Sequence, residues 1–86
     1  MQFLRTGAFK CDYQRLPESV KAAARKALLL LDSNPRHPSL QIKKLEGEGR
    51  PIWEARVTLH YRMTFEIHGS IILLRRIGTH DILRSP

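Results

Sequence analysis

The residues of this chain whose types suit chemistry are Glu54, Arg56, His60, Arg62, Arg75, Arg76 and His80. Arginine is planar, permanently charged and able to hold a phosphate through two parallel hydrogen bonds. Histidine exchanges a proton near neutral pH, and a carboxylate can accept one. Arginines gathered beside a histidine therefore make a candidate site for holding an anion and moving a proton next to it. Glu54 and His60 compete with His80 as the base. The plainer alternative is a solvated sheet face whose arginines are neutralised by glutamates.

What must position these residues is legible from Ile52 to His68. Trp53, Ala55, Val57, Leu59, Tyr61, Met63, Phe65 and Ile67 hold one parity, and Glu54, Arg56, Thr58, His60, Arg62, Thr64, Glu66 and His68 the other. Period-two alternation makes one face apolar and the other polar. Seventeen residues exceed one ordinary strand, so a tight bend is expected near Thr58–His60. Parity constrains that bend. Only an odd number of loop residues keeps the faces separate, and it sets Arg56 opposite Arg62 and Glu54 opposite Thr64. Like charges directly opposite repel, so the pair costs stability unless an anion sits between them.

The remaining elements follow from composition. Gln2–Arg5 suits a short strand, followed by a brief helical or turn segment through Tyr13 and Leu16. A helix is expected from Leu16-Pro17-Glu18, with Val20, Ala24, Ala27, Leu28 and Leu31 at helical spacing, ending at Ser33-Asn34-Pro35. Leu29 and Leu30 widen its apolar face, so it should be largely covered. Gln41–Leu45 reads as a short strand or extended arm, residues 46–51 as a loop, Gly69-Ser70 as a turn and Ile71–Leu74 as a buried strand. The expected fold class is α+β: a small domain over residues 1–86, its N-terminal strand and two helices packed on one face of an antiparallel sheet.

Ten arginines and five lysines against eight acids give a net charge of +7, which suits an anionic partner. Lys43 and Lys44 are candidates for tracking a nucleic-acid backbone. The single cysteine, Cys11, excludes an internal disulfide framework, suits a reducing cytosol, and is expected to be small and partly buried. No apolar run approaches the length of a membrane span or a signal peptide. His80-Asp81 and the scattered His37, His60, His68, Asp12 and Asp32 show no metal-ligand spacing, and no glycine-rich phosphate loop occurs. No metal or cofactor is expected.

Taken in order, Leu16-Pro17…Ala27-Leu28, Asn34-Pro35…His37-Pro38-Ser39-Leu40, Lys44-Leu45-Glu46-Gly47, Trp53-Glu54-Ala55-Arg56-Val57, Tyr61-Arg62 and Ile77-Gly78-Thr79-His80-Asp81 resemble the RelE/ParE toxin superfamily. The resemblance spans nearly the whole chain. In its RelE, YoeB and YafQ branches it implies the toxin of a type II toxin–antitoxin pair, a cytoplasmic endoribonuclease that cleaves mRNA on the ribosome without a metal. It also implies a cognate, acidic antitoxin as partner, and a free toxin that is monomeric.

Carried over by position, the resemblance gives Arg62 and Arg76 the role of phosphate clamps and His80 that of general base or acid. Arg56 and Glu54 are supporting or alternative catalysts; Lys43, Lys44 and His60, read from charge and position rather than from the resemblance, are candidate substrate contacts. The chain departs from the pattern where many members place an aromatic residue four or five positions after the histidine; Arg84 and Ser85 stand there. Two other readings share the fold: a ParE-like inhibitor of DNA gyrase, and a catalytically impaired relative that only binds an antitoxin.

Overall fold

The computed structural model describes residues 1–47 and 49–86. Its centre is the expected hairpin. Strands β3 (Trp53–Arg56) and β4 (Tyr61–His68) pair antiparallel, with Glu54 opposite Thr64 and Arg56 opposite Arg62. The Val57 amide donates to the Tyr61 carbonyl at 2.9 Å, leaving Thr58, Leu59 and His60 to make the bend. Thr58 Oγ1 accepts from the His60 and Tyr61 amides at 3.3 and 3.2 Å, supplying acceptors that a three-residue loop lacks in its own backbone.

Strand β5 (Ile71–Thr79) returns beside β4 through Gly69, whose φ of +63° is open to glycine at little cost. The ladder slips between Thr64 and Phe65: Thr64 faces Arg76 and Phe65 faces Leu74, so Arg75 is an extra, bulged residue. A two-residue strand β2 (Lys43–Lys44) joins the far side of β3. Strand β1 (Gln2–Arg5) pairs with Ile71–Leu74 in parallel. The antiparallel arrangement expected from sequence thus holds for β2 to β5, and β1 makes the five-stranded sheet mixed, in the order β1-β5-β4-β3-β2.

Helix α1 (Gly7–Gln14) starts at Thr6, whose Oγ1 accepts from the Phe9 amide at 3.0 Å and donates to the Arg75 carbonyl at 2.6 Å. Such a cap contributes about 1 kcal/mol, and here it also fixes the helix start to the β5 bulge. Helix α2 (Glu18–Ser33) buries Val20, Ala24, Ala27 and Leu31, the stripe expected from its spacing. These join Phe9, Ala55, Met63, Phe65, Ile72, Leu74 and Ile77 in one core between the helices and the sheet. The broad coverage expected for α2 is not found. Leu30 packs partly against the core, but Leu29 is 71% exposed because one side of α2 meets the sheet and, among the described residues, no second layer covers the other. Cys11 is likewise exposed rather than partly buried, standing on the outer side of α1.

Residues 38–40 form a short 3₁₀ turn before β2, and His80–Arg84 form another after β5. The expected loop over residues 46–51 carries no strand among its described residues, and Glu48 lies outside them. No helix is long and apolar enough to cross a membrane among the described residues.

Candidate active site

Glu54, Arg56, Arg62, Thr64, Glu66 and Arg76 share the sheet face turned away from the helices, since their strand neighbours Ala55, Met63, Phe65 and Ile77 form the core. The register orders them in rows across the sheet. One row holds Arg56, Arg62 and Gly78, and the next holds Glu54, Thr64 and Arg76. Tyr61 pairs with Thr79, so His60 and His80 leave the ladder at the same end of the sheet, just beyond the arginine row. Both histidines are exposed.

The two facing arginines have different surroundings. Arg62 is held: its Nη1 donates to the carbonyls of Thr58, Leu59 and Tyr61 at 2.9, 3.3 and 3.2 Å, and its Nε lies 3.7 Å from Glu54 Oε1. It therefore satisfies the acceptors of the hairpin bend while carrying its charge at the site. Arg56 is half-buried and makes no side-chain hydrogen bond or ion pair among the described residues, so its donors are free.

Glu54 is buried at 4% exposure, and one of its oxygens, Oε1, is shared between Arg62 and Lys43, the latter at 4.0 Å. Oε2 is buried without a hydrogen-bond partner among the described residues. A closed-off oxygen suits orienting Arg62 better than reaching a substrate. Lys43 pairs with Glu54 and shares its face; Lys44 pairs with Trp53 and lies on the opposite face, so the structure separates these two lysines. Alternation alone requires this split.

Arg76 differs most from the free clamp expected of it. Its Nε and Nη2 meet Asp12 Oδ2 and Oδ1 at 2.7 and 3.1 Å, a bidentate pair, and its Nη1 donates to the Ser85 carbonyl at 3.3 Å. The hydrogen bond with Asp12 pushes the Arg76 pKa above its ordinary value, more than offsetting partial burial. Asp12 also accepts from the Ile77 amide at 3.2 Å, on the edge of β5 beyond the end of β1. Arg76 thereby ties α1 to the strand that leads into His80.

Gly78 explains how His80 is placed. A Cβ on it would stand 2.8 Å from Ile82 Cγ2, so only glycine lets the 3₁₀ turn fold back and seat Ile82 against β5. His80 opens that turn, and the Arg84 side of the turn is exposed where an aromatic residue was expected from the resemblance.

Glu66 and Asp12, to which sequence reasoning gave no role, and Arg75, one of its candidates, organise the site. Glu66 is buried and bonded by His68 Nε2 at 2.8 Å and by Arg75 Nη1, with Arg50 Nε at 3.5 Å. Burial pushes the Glu66 carboxyl up, but the hydrogen bonds from His68 and Arg75 and the charges of Arg50 and Arg75 bring it below its ordinary value. Arg75 also donates from Nε to the Pro86 main-chain oxygen at 3.1 Å, an atom that accepts from Thr64 Oγ1 at 3.0 Å as well. Asp12 is the third. No group of three His, Cys, Asp or Glu side chains among the described residues is arranged to hold a metal.

The five-stranded mixed sheet with two helices packed against it is a RelE/ParE-type toxin fold, shared with solved toxins of that kind. YafQ from Escherichia coli BL21(DE3) superposes with a TM-score of 0.80 at 17% identity, over 95% of this chain and 96% of its own. The YoeB/ParE toxin from Agrobacterium tumefaciens gives 0.78 at 19% identity, over 93% and 99%. RelE in the archaeal RelE–RelB complex from Pyrococcus horikoshii OT3 gives 0.73 at 18% identity, over 91% and 92%. No family model matches the sequence, and no curated protein matches it.

Proposed function

We propose that this protein is the toxin of a type II toxin–antitoxin pair and a metal-independent endoribonuclease acting on mRNA at the ribosome. The observation that carries the reading is Arg56 facing Arg62, with His60 and His80 at the same end of the sheet. Arg62 is paired with Glu54 and the hairpin carbonyls, while Arg56, opposite it in the register, has no carboxylate partner among the described residues; that uncompensated charge favours a bound anion, and a phosphodiester supplies one. The likeness to YafQ and to toxins solved with antitoxins, as in the DinJ–YafQ and RelB–RelE complexes, supports an antitoxin as the partner. The net charge of +7 suits both an acidic antitoxin and RNA.

In the proposed reaction one imidazole removes the proton from a ribose 2′-hydroxyl. The oxygen attacks the adjacent phosphorus, the bond from phosphorus to the 5′-oxygen breaks, and the second imidazole gives that oxygen a proton. The products are a 2′,3′-cyclic phosphate and a 5′-hydroxyl. His80 and His60 are the proton-transfer pair, Arg56 and Arg62 stabilise charge on the phosphorane-like transition state, and Glu54 orients Arg62. Lys43 extends the positive field along the same face, and Arg76 positions the strand that leads into His80. Lys44, on the other face, contacts RNA only at the sheet edge.

Induction of the chain in bacteria, beside the Arg56→Ala/His80→Ala double variant, tests the reading. Growth arrest with the wild type and normal growth with equal amounts of folded double variant are expected. A double variant as toxic as the wild type would place the activity elsewhere.

A further inference from the structure

Beyond the Arg56–Arg62 pair, the same sheet face carries a separate groove of about 610 Å³, lined by Arg50, Ile52, Arg75, Arg84 and Pro86 among others. Three guanidiniums border it, and among the described side chains one carboxylate, Glu66, stands against two of them. Both Glu66 oxygens are already engaged, by His68 on one side and by Arg75 and Arg50 on the other. Among the described residues Arg84 is exposed without a side-chain partner and Arg50 engages Glu66 through its Nε alone. The groove therefore keeps unspent donors and positive charge above a floor of buried Ile52 and Pro86. Free guanidinium donors of this kind suit a backbone phosphate.

Its position relates it to the site. Glu66 lies four residues along β4 from Arg62, a separation of about 13 Å on one face of the sheet. Pro86, held by Thr64 and Arg75, stands between the two places, so the groove is a distinct subsite rather than an extension of the arginine pair. We propose that this groove binds a phosphate of the same RNA strand, a short way along from the bond that is cut, through Arg50, Arg84 and the remaining donors of Arg75. The subsite gives the protein a grip on single-stranded RNA that does not depend on an aromatic stacking residue near His80. The inference rests on the ribonuclease reading.

The test measures binding of 2′-O-methyl RNA, which has no free 2′-hydroxyl to attack, to the whole chain by fluorescence anisotropy. A dinucleotide is compared with an oligonucleotide of about ten nucleotides, within the range that single-strand sites cover. The oligonucleotide should bind more tightly. The Arg50→Ala/Arg84→Ala variant, altered only at exposed side chains, should lose about tenfold of that gain. Its salt dependence should flatten by about 0.7 for each phosphate that it no longer neutralises. Arg84→Glu should lose more. An unchanged gain in the variant overturns the subsite, as does an equal loss for both lengths, which would mean a diffuse field. An acidic peptide that fills the groove while the length gain persists in the variant would assign the groove to a protein partner instead. Wild type that binds neither RNA would defeat the ribonuclease reading as well; dinucleotide binding without a length gain would defeat the subsite alone.

Discussion

Arg56 on β3 and Arg62 on β4 stand directly opposite each other, and among the described residues no carboxylate bonds Arg56. Directly opposed like charges cost roughly 0.2–1 kcal/mol in a sheet. Arg56→Ala should therefore leave the melting temperature unchanged or slightly raised, while RNA cleavage falls about a hundredfold, the size of losing one transition-state donor. Arg62→Ala should behave differently, lowering both, because Arg62 also satisfies three carbonyls of the hairpin bend. Thermal unfolding beside single-turnover cleavage separates the two. Equal effects of both substitutions on stability would count against this assignment.

Asp12 and Arg76 join α1 to β5 across 64 positions of sequence. Asp12→Ala strands a half-buried guanidinium and the Ile77 amide, and should cost about 1.5–3 kcal/mol, the range for hydrogen bonds to a charged group. Arg76→Lys should recover little, since lysine cannot form the bidentate pair. Urea unfolding at neutral pH measures both, and a loss below about 0.5 kcal/mol for Asp12→Ala, the scatter of ordinary surface changes, would show that the pair is not structural.

Gly78 opposite Arg62 is the point where the 3₁₀ turn closes on the sheet. Gly78→Ala forces Ile82 aside and should cost about 1–3 kcal/mol, as overpacking usually does. Because His80 opens that turn, cleavage should fall more than the affinity for uncleavable RNA. Adding Ile82→Ala should restore part of the activity by making room. If the double variant is no better than Gly78→Ala alone, the clash is not what places His80.

Glu66 has a carboxyl pKa below its ordinary value of 4.5 in the folded chain. The unfolded state therefore takes up the proton first as pH falls. The stability this group contributes is fully present above about pH 4.5 and is lost as pH drops through that value toward the lower folded one. Denaturation midpoints followed from pH 6 to pH 2 should fall over this acid window, and Glu66→Gln should flatten part of that fall. An unaltered acid limb in Glu66→Gln would show that Glu66 is not a main contributor.

The hairpin and its arginine pair were legible in the sequence because strict alternation leaves one register that separates the faces. The stripe on α2 was legible for the same reason at helical spacing. Asp12 was not, since its partner is far along the chain and nothing local marks it. The Arg75 bulge did leave a trace: Ile72 and Leu74 keep one parity and Ile77 takes the other, so one extra residue must lie between. Without that bulge one of the two consecutive arginines would face the core. The exposure of Leu29 was beyond composition, because it depends on how many layers cover the helix rather than on the helix itself.

The most direct measurement is primer extension on cellular mRNA after induction of the chain, beside a His80→Ala control of equal abundance. The account predicts new cuts at defined positions within translated codons, leaving 5′-hydroxyl ends, and their absence in the control. Growth arrest with intact mRNA, or the same cuts with His80→Ala, would contradict it.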